Sequence, residues 1–190
     1  MTATATSIEG TAHVYGDNVD TDVIIPAHYL TSTEPEELAK HCMEGLDPEF
    51  AERCVHGDVM VGGRNFGSGS SREHAPLAIK GAGITCIVAE SFARIFYRNS
   101  INVGLPIVEC PGVAEHAEPG DRFRIELDAG TVENVTKGRT YQATAMPDFM
   151  RGILDAGGLM PWVKRQMDAE GSTPVAVAAN EPVQADWRLD

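Results

Sequence analysis

The sequence predicts an α/β fold with a central mixed, largely parallel sheet flanked by helices, and three observations carry that expectation. Strand-like segments at 55–61, 84–89 and 105–108 alternate with helical ones, the order that produces parallel pairing with crossover helices. Beyond Pro111 the pattern changes: Phe123, Ile125 and Leu127 alternate with Arg122, Arg124 and Glu126, as in a half-exposed antiparallel strand. The length of 190 residues, with 43% hydrophobic and 23% charged content, suits one well-buried core.

In chain order, residues 8–15 read as a first strand, interrupted at 16–22 by turn formers that include Asp17, Asp20 and Asp22. Those three carboxylates do not make a calcium loop. Counted from Asp17, the sixth and twelfth positions hold Asp22 and His28, where an EF-hand needs glycine and glutamate. Thr33-Glu34-Pro35-Glu36 has capping-box spacing and is expected to open a helix through Leu38 and Met43 that Gly45 ends. Tyr29, Leu30, Thr31, Ser32 and Thr33 then form the loop before it. A strand at 55–61 leads into a glycine-rich turn, and a short helix at 75–80 follows with Pro76 in its first turn. Residues 84–89 suit a strand buried on both faces, with Cys86 in the core. A helix over 91–100 is expected to turn Phe92, Ile95 and Phe96 inward, before the strand at 105–108. Residues 132–136 and 140–146 continue the antiparallel part as a meander, and 149–167 read as helical with a break at Gly157-Gly158. The chain thus divides into one domain, 1–170, and a tail, 171–190, without periodicity, expected to be flexible or to dock on a partner.

The chemistry concentrates in Gly62-Gly63-Arg64-Asn65-Phe66-Gly67-Ser68-Gly69-Ser70-Ser71-Arg72-Glu73-His74. Four glycines in the eight residues 62–69 let backbone amides approach a ligand, and Ser70 and Glu73 have capping-box spacing. An anion there would meet hydroxyls, a guanidinium and a helix N-terminus together. No Gly-Lys-[Ser/Thr] follows, Arg72 stands where a dinucleotide fingerprint needs its third glycine, and neither Ser70 nor Ser71 has nucleophile-elbow or Ser-x-x-Lys spacing. The net charge of −13 argues against nucleic-acid or anionic-membrane binding. Yet Arg64, Arg72, Lys80, Arg94 and Arg98 outnumber Glu73 and Glu90 between Gly62 and Asn102, which points to a small anion at this loop. The four cysteines, Cys42, Cys54, Cys86 and Cys110, lack Cys-x-x-Cys spacing, so free thiols and no metal ligands are expected. No basic n-region, apolar h-region or membrane-length span is present, and a reducing, cytoplasmic setting is expected.

Asn18-Val19-Asp20-Thr21-Asp22, Gly67 through His74, and Ala93-Arg94-Ile95-Phe96-Tyr97-Arg98-Asn99-Ser100-Ile101-Asn102-Val103-Gly104-Leu105-Pro106 occur together in this order. Over roughly residues 8–164 the chain resembles the small subunits of 3-isopropylmalate dehydratases, relatives of the aconitase swivel domain. The resemblance implies a swivelling β/β/α domain that closes over a large subunit, as a heterodimer or heterotetramer, with a 4Fe-4S cluster on that other chain and no cofactor in this one. It implies isomerisation of 2-isopropylmalate to 3-isopropylmalate by dehydration and rehydration in leucine biosynthesis. By the same resemblance Ser70 is the base, Ser71 and Arg72 hold a substrate carboxylate, and Asp22 orients groups at the closed interface. The segment Tyr29, Leu30, Thr31, Ser32, Thr33 corresponds to a loop that carries an arginine in tricarboxylate-processing relatives. Its lack of one favours a hydroxy-dicarboxylate with a neutral or apolar branch. A homoaconitase, a dimethylmalate or citramalate dehydratase and a noncatalytic anion-binding module remain alternatives.

Overall fold

A computed structural model describes residues 7–169. The tail over 171–190 lies outside the described residues. Seven strands form one mixed sheet in the order β4-β3-β2-β1-β5-β6-β7. β1 (Ser7–Val14) is the pivot between its halves. Its Ser7 to Thr11 stretch pairs antiparallel with β5 (Arg122–Glu126), and its Ala12 to Val14 stretch pairs parallel with β2 (Val59–Gly62). On the parallel side β3 (Cys86–Ala89) and β4 (Ile107–Glu109) complete the sheet; on the other, β6 (Thr131–Asn134) and β7 (Arg139–Gln142) form the expected meander.

The burial follows the sequence pattern. Every residue of β2 and β3 is buried, as strands covered on both faces must be, whereas β5 alternates because one face meets solvent. Around the sheet stand α1 (Thr21–Ile24), α2 (Pro35–Ala39), α3 (Phe50–Arg53), α4 (His74–Gly81), α5 (Arg94–Val103), α6 (Asp148–Ala156) and α7 (Leu159–Ala169). Gly157, in the left-handed region at φ 90°, ends α6 where the break was expected. No helix of the described residues is long and apolar enough to cross a membrane.

Several local expectations change. α2 does not use Thr33 as a cap: Pro35 forces Glu34 into an extended conformation, so Glu34 becomes the N-cap and Pro35 the first helical residue. α2 also stops at Ala39, short of Met43, which adopts φ 63° and donates its N–H to Ile24 O at 2.7 Å. Gly45 does not end this helix. It lies against Val23, where an added Cβ would come within 2.7 Å of the Val23 Cα. α3 had no sequence signal, because four residues cannot show a helical period. α5 begins at Arg94, so its buried stripe is Phe96, Ser100 and Ile101, and Ile95 is rotated off it to 42% exposure.

Candidate active site

The site forms where two loops leave the carboxyl ends of neighbouring parallel strands, the usual ligand position in open α/β sheets. The loop after β1 and the glycine-rich loop after β2 are laced together by backbone hydrogen bonds. Gly63 N–H donates to Gly16 O at 3.2 Å, Asn18 N–H to Arg64 O at 2.8 Å, Gly67 N–H to Val19 O at 2.8 Å, and Thr21 N–H to Ser68 O at 2.8 Å. Asp17 adds a side-chain clasp, accepting the Arg64 backbone N–H at 2.7 Å and its Nε and Nη2 at 3.0 and 2.7 Å. Arg64 holds that carboxyl below its ordinary range.

Glycine is required at two points of the lacing. Gly67 has φ 75°, and a Cβ there would lie 2.1 Å from the Phe96 ring. Gly69 has φ 95°, and a Cβ would lie 2.5 Å from the Asp20 carboxylate. Asp20 is the N-cap of α1 and accepts the Asp22 N–H at 2.7 Å, as a turn-capping role requires.

Ser70 does not cap a helix. α4 begins at His74, with Glu73 as N-cap and no side-chain cap bond. The Ser70 N–H instead donates to Thr21 Oγ1 at 3.1 Å, and the Ser70 carbonyl accepts the Arg72 N–H at 2.8 Å. Thr21, itself 1% exposed, therefore fixes the backbone on which the exposed Ser70 hydroxyl stands. Arg72 is ion-paired with Asp22. Asp22 is 60% exposed, while Arg72 is only 23% exposed, so the guanidinium is presented from a supported position. The structure thus brings Arg72, on the loop that also carries the exposed Ser70 and Ser71, into contact with Asp22.

The segment from Tyr29 to Thr33 is not part of this cluster. The Tyr29 ring stacks on His41 at 3.6 Å and its hydroxyl donates to Glu44 Oε1 at 3.1 Å. Leu30 packs against the core, Ser32 Oγ accepts the Glu34 N–H at 3.1 Å, and Thr31 and Thr33 are exposed. None of the five lines the cavity beside Ser70.

That cavity, about 520 Å³, is walled by Gly67, Gly69, Ser70, Ala93, Arg94, Ile95 and Arg98. The first turns of α5 therefore face the serine. Arg94 and Arg98 make no ion pair or side-chain hydrogen bond among the described residues, in contrast to Arg64 and Arg72. Sequence reasoning placed these arginines in the positive segment but gave them no role; their spacing of four residues, one helical turn, was the available signal.

The four cysteines are free thiols. Burial pushes Cys42 well above its ordinary value, Cys110 up to about 11 and Cys54 up to about 12. No three of the four gather among the described residues, so this chain's cysteines do not suit an iron–sulfur cluster.

Residues 53–111 match the model of the aconitase C-terminal domain, a span that runs from before β2 to just past β4 and includes Ser70, Arg72, Arg94 and Arg98. A 3-isopropylmalate dehydratase small subunit of Lachnoclostridium phytofermentans is 56% identical over 160 residues, covering 84% of this chain and 97% of the relative. The chain belongs to the 3-isopropylmalate dehydratase small-subunit family. Another member, the isopropylmalate/citramalate isomerase small subunit of Methanocaldococcus jannaschii, is 55% identical over 84% of this chain and 95% of its own length. The crystal structure of a 3-isopropylmalate dehydratase from that organism superposes with a TM-score of 0.81 at 46% identity, covering 86% of this chain and 97% of that one. The family fold is therefore the α/β arrangement seen here, mixed sheet included.

Proposed function

We propose that the chain is the small subunit of a 3-isopropylmalate dehydratase, a hydro-lyase that interconverts 2-isopropylmalate and 3-isopropylmalate in leucine biosynthesis. The observation that carries this reading is the 56% identity spanning 97% of a small subunit of that name. The site agrees with it: a hydroxyl on a braced backbone, a guanidinium beside it, and a cavity with two further cations unpaired among the described residues suit a dicarboxylate.

In this proposal Ser70 Oγ takes the proton from the carbon next to a carboxylate and returns it in the rehydration step. A serine hydroxyl needs local positive potential for that work, and Arg72, Arg94 and Arg98 supply it. Arg72 offers a planar fork with two edges, one met by Asp22 and the other available to the substrate carboxylate, with Ser71 adding a hydroxyl. Asp22 thereby orients the guanidinium before substrate arrives. The second chain of the assembly is a large subunit, a heterodimeric or heterotetrameric partner, carrying a 4Fe-4S cluster that supplies Lewis acidity at the departing hydroxyl. This chain's residues bind and orient the carboxylate and move the proton. Expression in a cytoplasmic compartment suits its free thiols.

The 55% identity to an isopropylmalate/citramalate isomerase small subunit favours citramalate as a second substrate. The test is to mix the purified chain with a cluster-reconstituted large subunit and follow isomerisation of 2-isopropylmalate and of citramalate. Turnover only in the mixture is expected. Hydro-lyase activity of this chain alone, or an inert mixture of correctly assembled subunits, would overturn the proposal.

A further inference from the structure

A second cluster of chemistry lies just ahead of β2, at the end of that strand away from the glycine-rich loop, against the C-terminal part of β1. His13 of β1, Cys54 at the C-terminus of α3 and Asp58 just ahead of β2 bring a ring nitrogen, a sulfur and a carboxylate oxygen within 4.8 Å of one another. They are the only such trio among the described residues. Each atom is already oriented. His13 Nε2 lies 2.9 Å from Asp58 Oδ2, which also accepts the Val55 N–H at 2.9 Å, and Cys54 Sγ donates to Ala82 O at 3.3 Å. The His13 ring is further held edge-on to Phe50, 4.9 Å between centroids. Beside the trio is a cavity of about 450 Å³ whose walls include His13, Val55 and Asp58. The one cation in that wall, Arg53, is paired with Asp47.

We propose that His13, Cys54 and Asp58 form a site for a zinc-class divalent cation, with a water from the adjoining cavity as fourth ligand. Mixed nitrogen, sulfur and oxygen donors suit a borderline-soft transition metal and not calcium or magnesium, which take oxygen alone. The charges close. The Cys54 thiol loses its proton to solvent as the sulfur–metal bond forms, and the thiolate with the Asp58 carboxylate neutralises the dication, so no net charge is buried. His13 contributes neutral Nε2: the proton that Nε2 shares with Asp58 passes to Nδ1 as the tautomer switches, and the lone pair so freed replaces the hydrogen bond with the bond to the metal. Metal–ligand bonds of about 2.0–2.3 Å mean that the trio draws together by roughly 1 Å on binding. The site joins three elements of one corner, fastening α3 to β1 and β2. Asp58 is separated from the glycine-rich loop by the length of β2, four residues or about 13 Å, and His13 stands opposite Met60 of β2; none of the three residues lines the cavity beside Ser70, so the site serves stability and not the isomerase reaction. Cysteine spacing in the sequence missed it, because only one ligand is a cysteine and the three stand at 13, 54 and 58.

The experiment is a cobalt(II) titration of the purified full-length chain, followed by displacement with zinc. A thiolate-to-cobalt charge-transfer band saturating at one equivalent is expected, bleached by zinc, together with a higher melting temperature in the presence of zinc. Cys54→Ser should remove the band, and His13→Gln should weaken binding at least about tenfold. Both variants should keep their circular dichroism and their turnover when paired with a large subunit. Cys42, Cys86 and Cys110 are buried and do not confuse the signal. Absence of both the band and the melting shift in the unaltered chain overturns the site whatever the variants do, and so does a band that survives in Cys54→Ser.

Discussion

Ser70 owes its position to a residue 49 places earlier, since Thr21 Oγ1 accepts its backbone N–H, and its neighbour Arg72 owes its orientation to Asp22 in the same short helix. The hydroxyl and the guanidinium can therefore be removed separately from the scaffold. Ser70→Ala should leave assembly with the large subunit intact and lower kcat by at least ~10²-fold, the usual contribution of a positioned base. Arg72→Lys keeps the charge but loses the planar fork, so its main effect should be a raised KM for the dicarboxylate. Steady-state kinetics on the assembled enzyme distinguish the two outcomes, and near-normal turnover by Ser70→Ala would place the base elsewhere.

Two elements carry distinct expectations. In the glycine-rich loop, Gly67→Ala would force a side chain into the left-handed region and against Phe96, 2.1 Å from the added carbon. Backbone strain of about 1–2 kcal/mol and overpacking of about 1–3 kcal/mol act in the same direction, so urea unfolding should show a loss of several kcal/mol. The loop from Tyr29 to Thr33 tests selectivity. It lies outside the cavity wall in this chain, yet Thr31 is exposed and free to carry a longer side chain. Thr31→Arg should raise kcat/KM for a homocitrate-type tricarboxylate relative to isopropylmalate if closure on the large subunit brings this loop to the substrate. An unchanged ratio in a normally assembled enzyme would assign selectivity to Arg94, Ile95 and Arg98 or to the partner.

For the whole molecule, the two halves of the sheet meet along β1, and Asp121 is the polar tie on the antiparallel side. Its side chain accepts Asn134 Nδ2 at 2.8 Å and the Glu118 N–H at 3.0 Å, with Lys137 Nζ at 3.6 Å. Burial alone would raise this carboxyl, but the Asn134 and Glu118 hydrogen bonds and the Lys137 charge outweigh it and hold the value below the ordinary one. A folded-state value below the unfolded one stabilises the protein above the unfolded value and ceases to do so as pH falls through the folded one. Asp121→Asn should therefore cost about 1.5–3 kcal/mol at neutral pH, the worth of hydrogen bonds to a charged group. The difference from the parent should shrink below about pH 4. Denaturant unfolding at pH 7 and pH 3 measures both, and a pH-independent difference would mean that Asp121 contributes as a neutral group.

The chain's order along itself determined much of this protein. The buried runs of β2 and β3, the alternation of β5 from Arg122 to Glu126 and the break at Gly157 were legible because strand and helix periodicities are local and a two-residue or 3.6-residue repeat shows within a few residues. The grouping of glycines, hydroxyls and a guanidinium over Gly62 to Arg72 was legible for the same reason: these residues are neighbours in sequence. Tertiary structure decided which of those groups pair. Ser70 and Thr33 have the spacing of caps, yet Ser70 is taken by Thr21 and the turn before Pro35 by the proline's own geometry, because a loop amide bonds to whichever acceptor the fold brings near. Arg94 and Arg98 entered the cavity wall, and Ile95 left the core, when α5 began at Arg94 and not at Ser91. His13 came within reach of Cys54 and Asp58 only through the parallel pairing of β1 with β2, a contact across more than forty residues that no short-range pattern encodes.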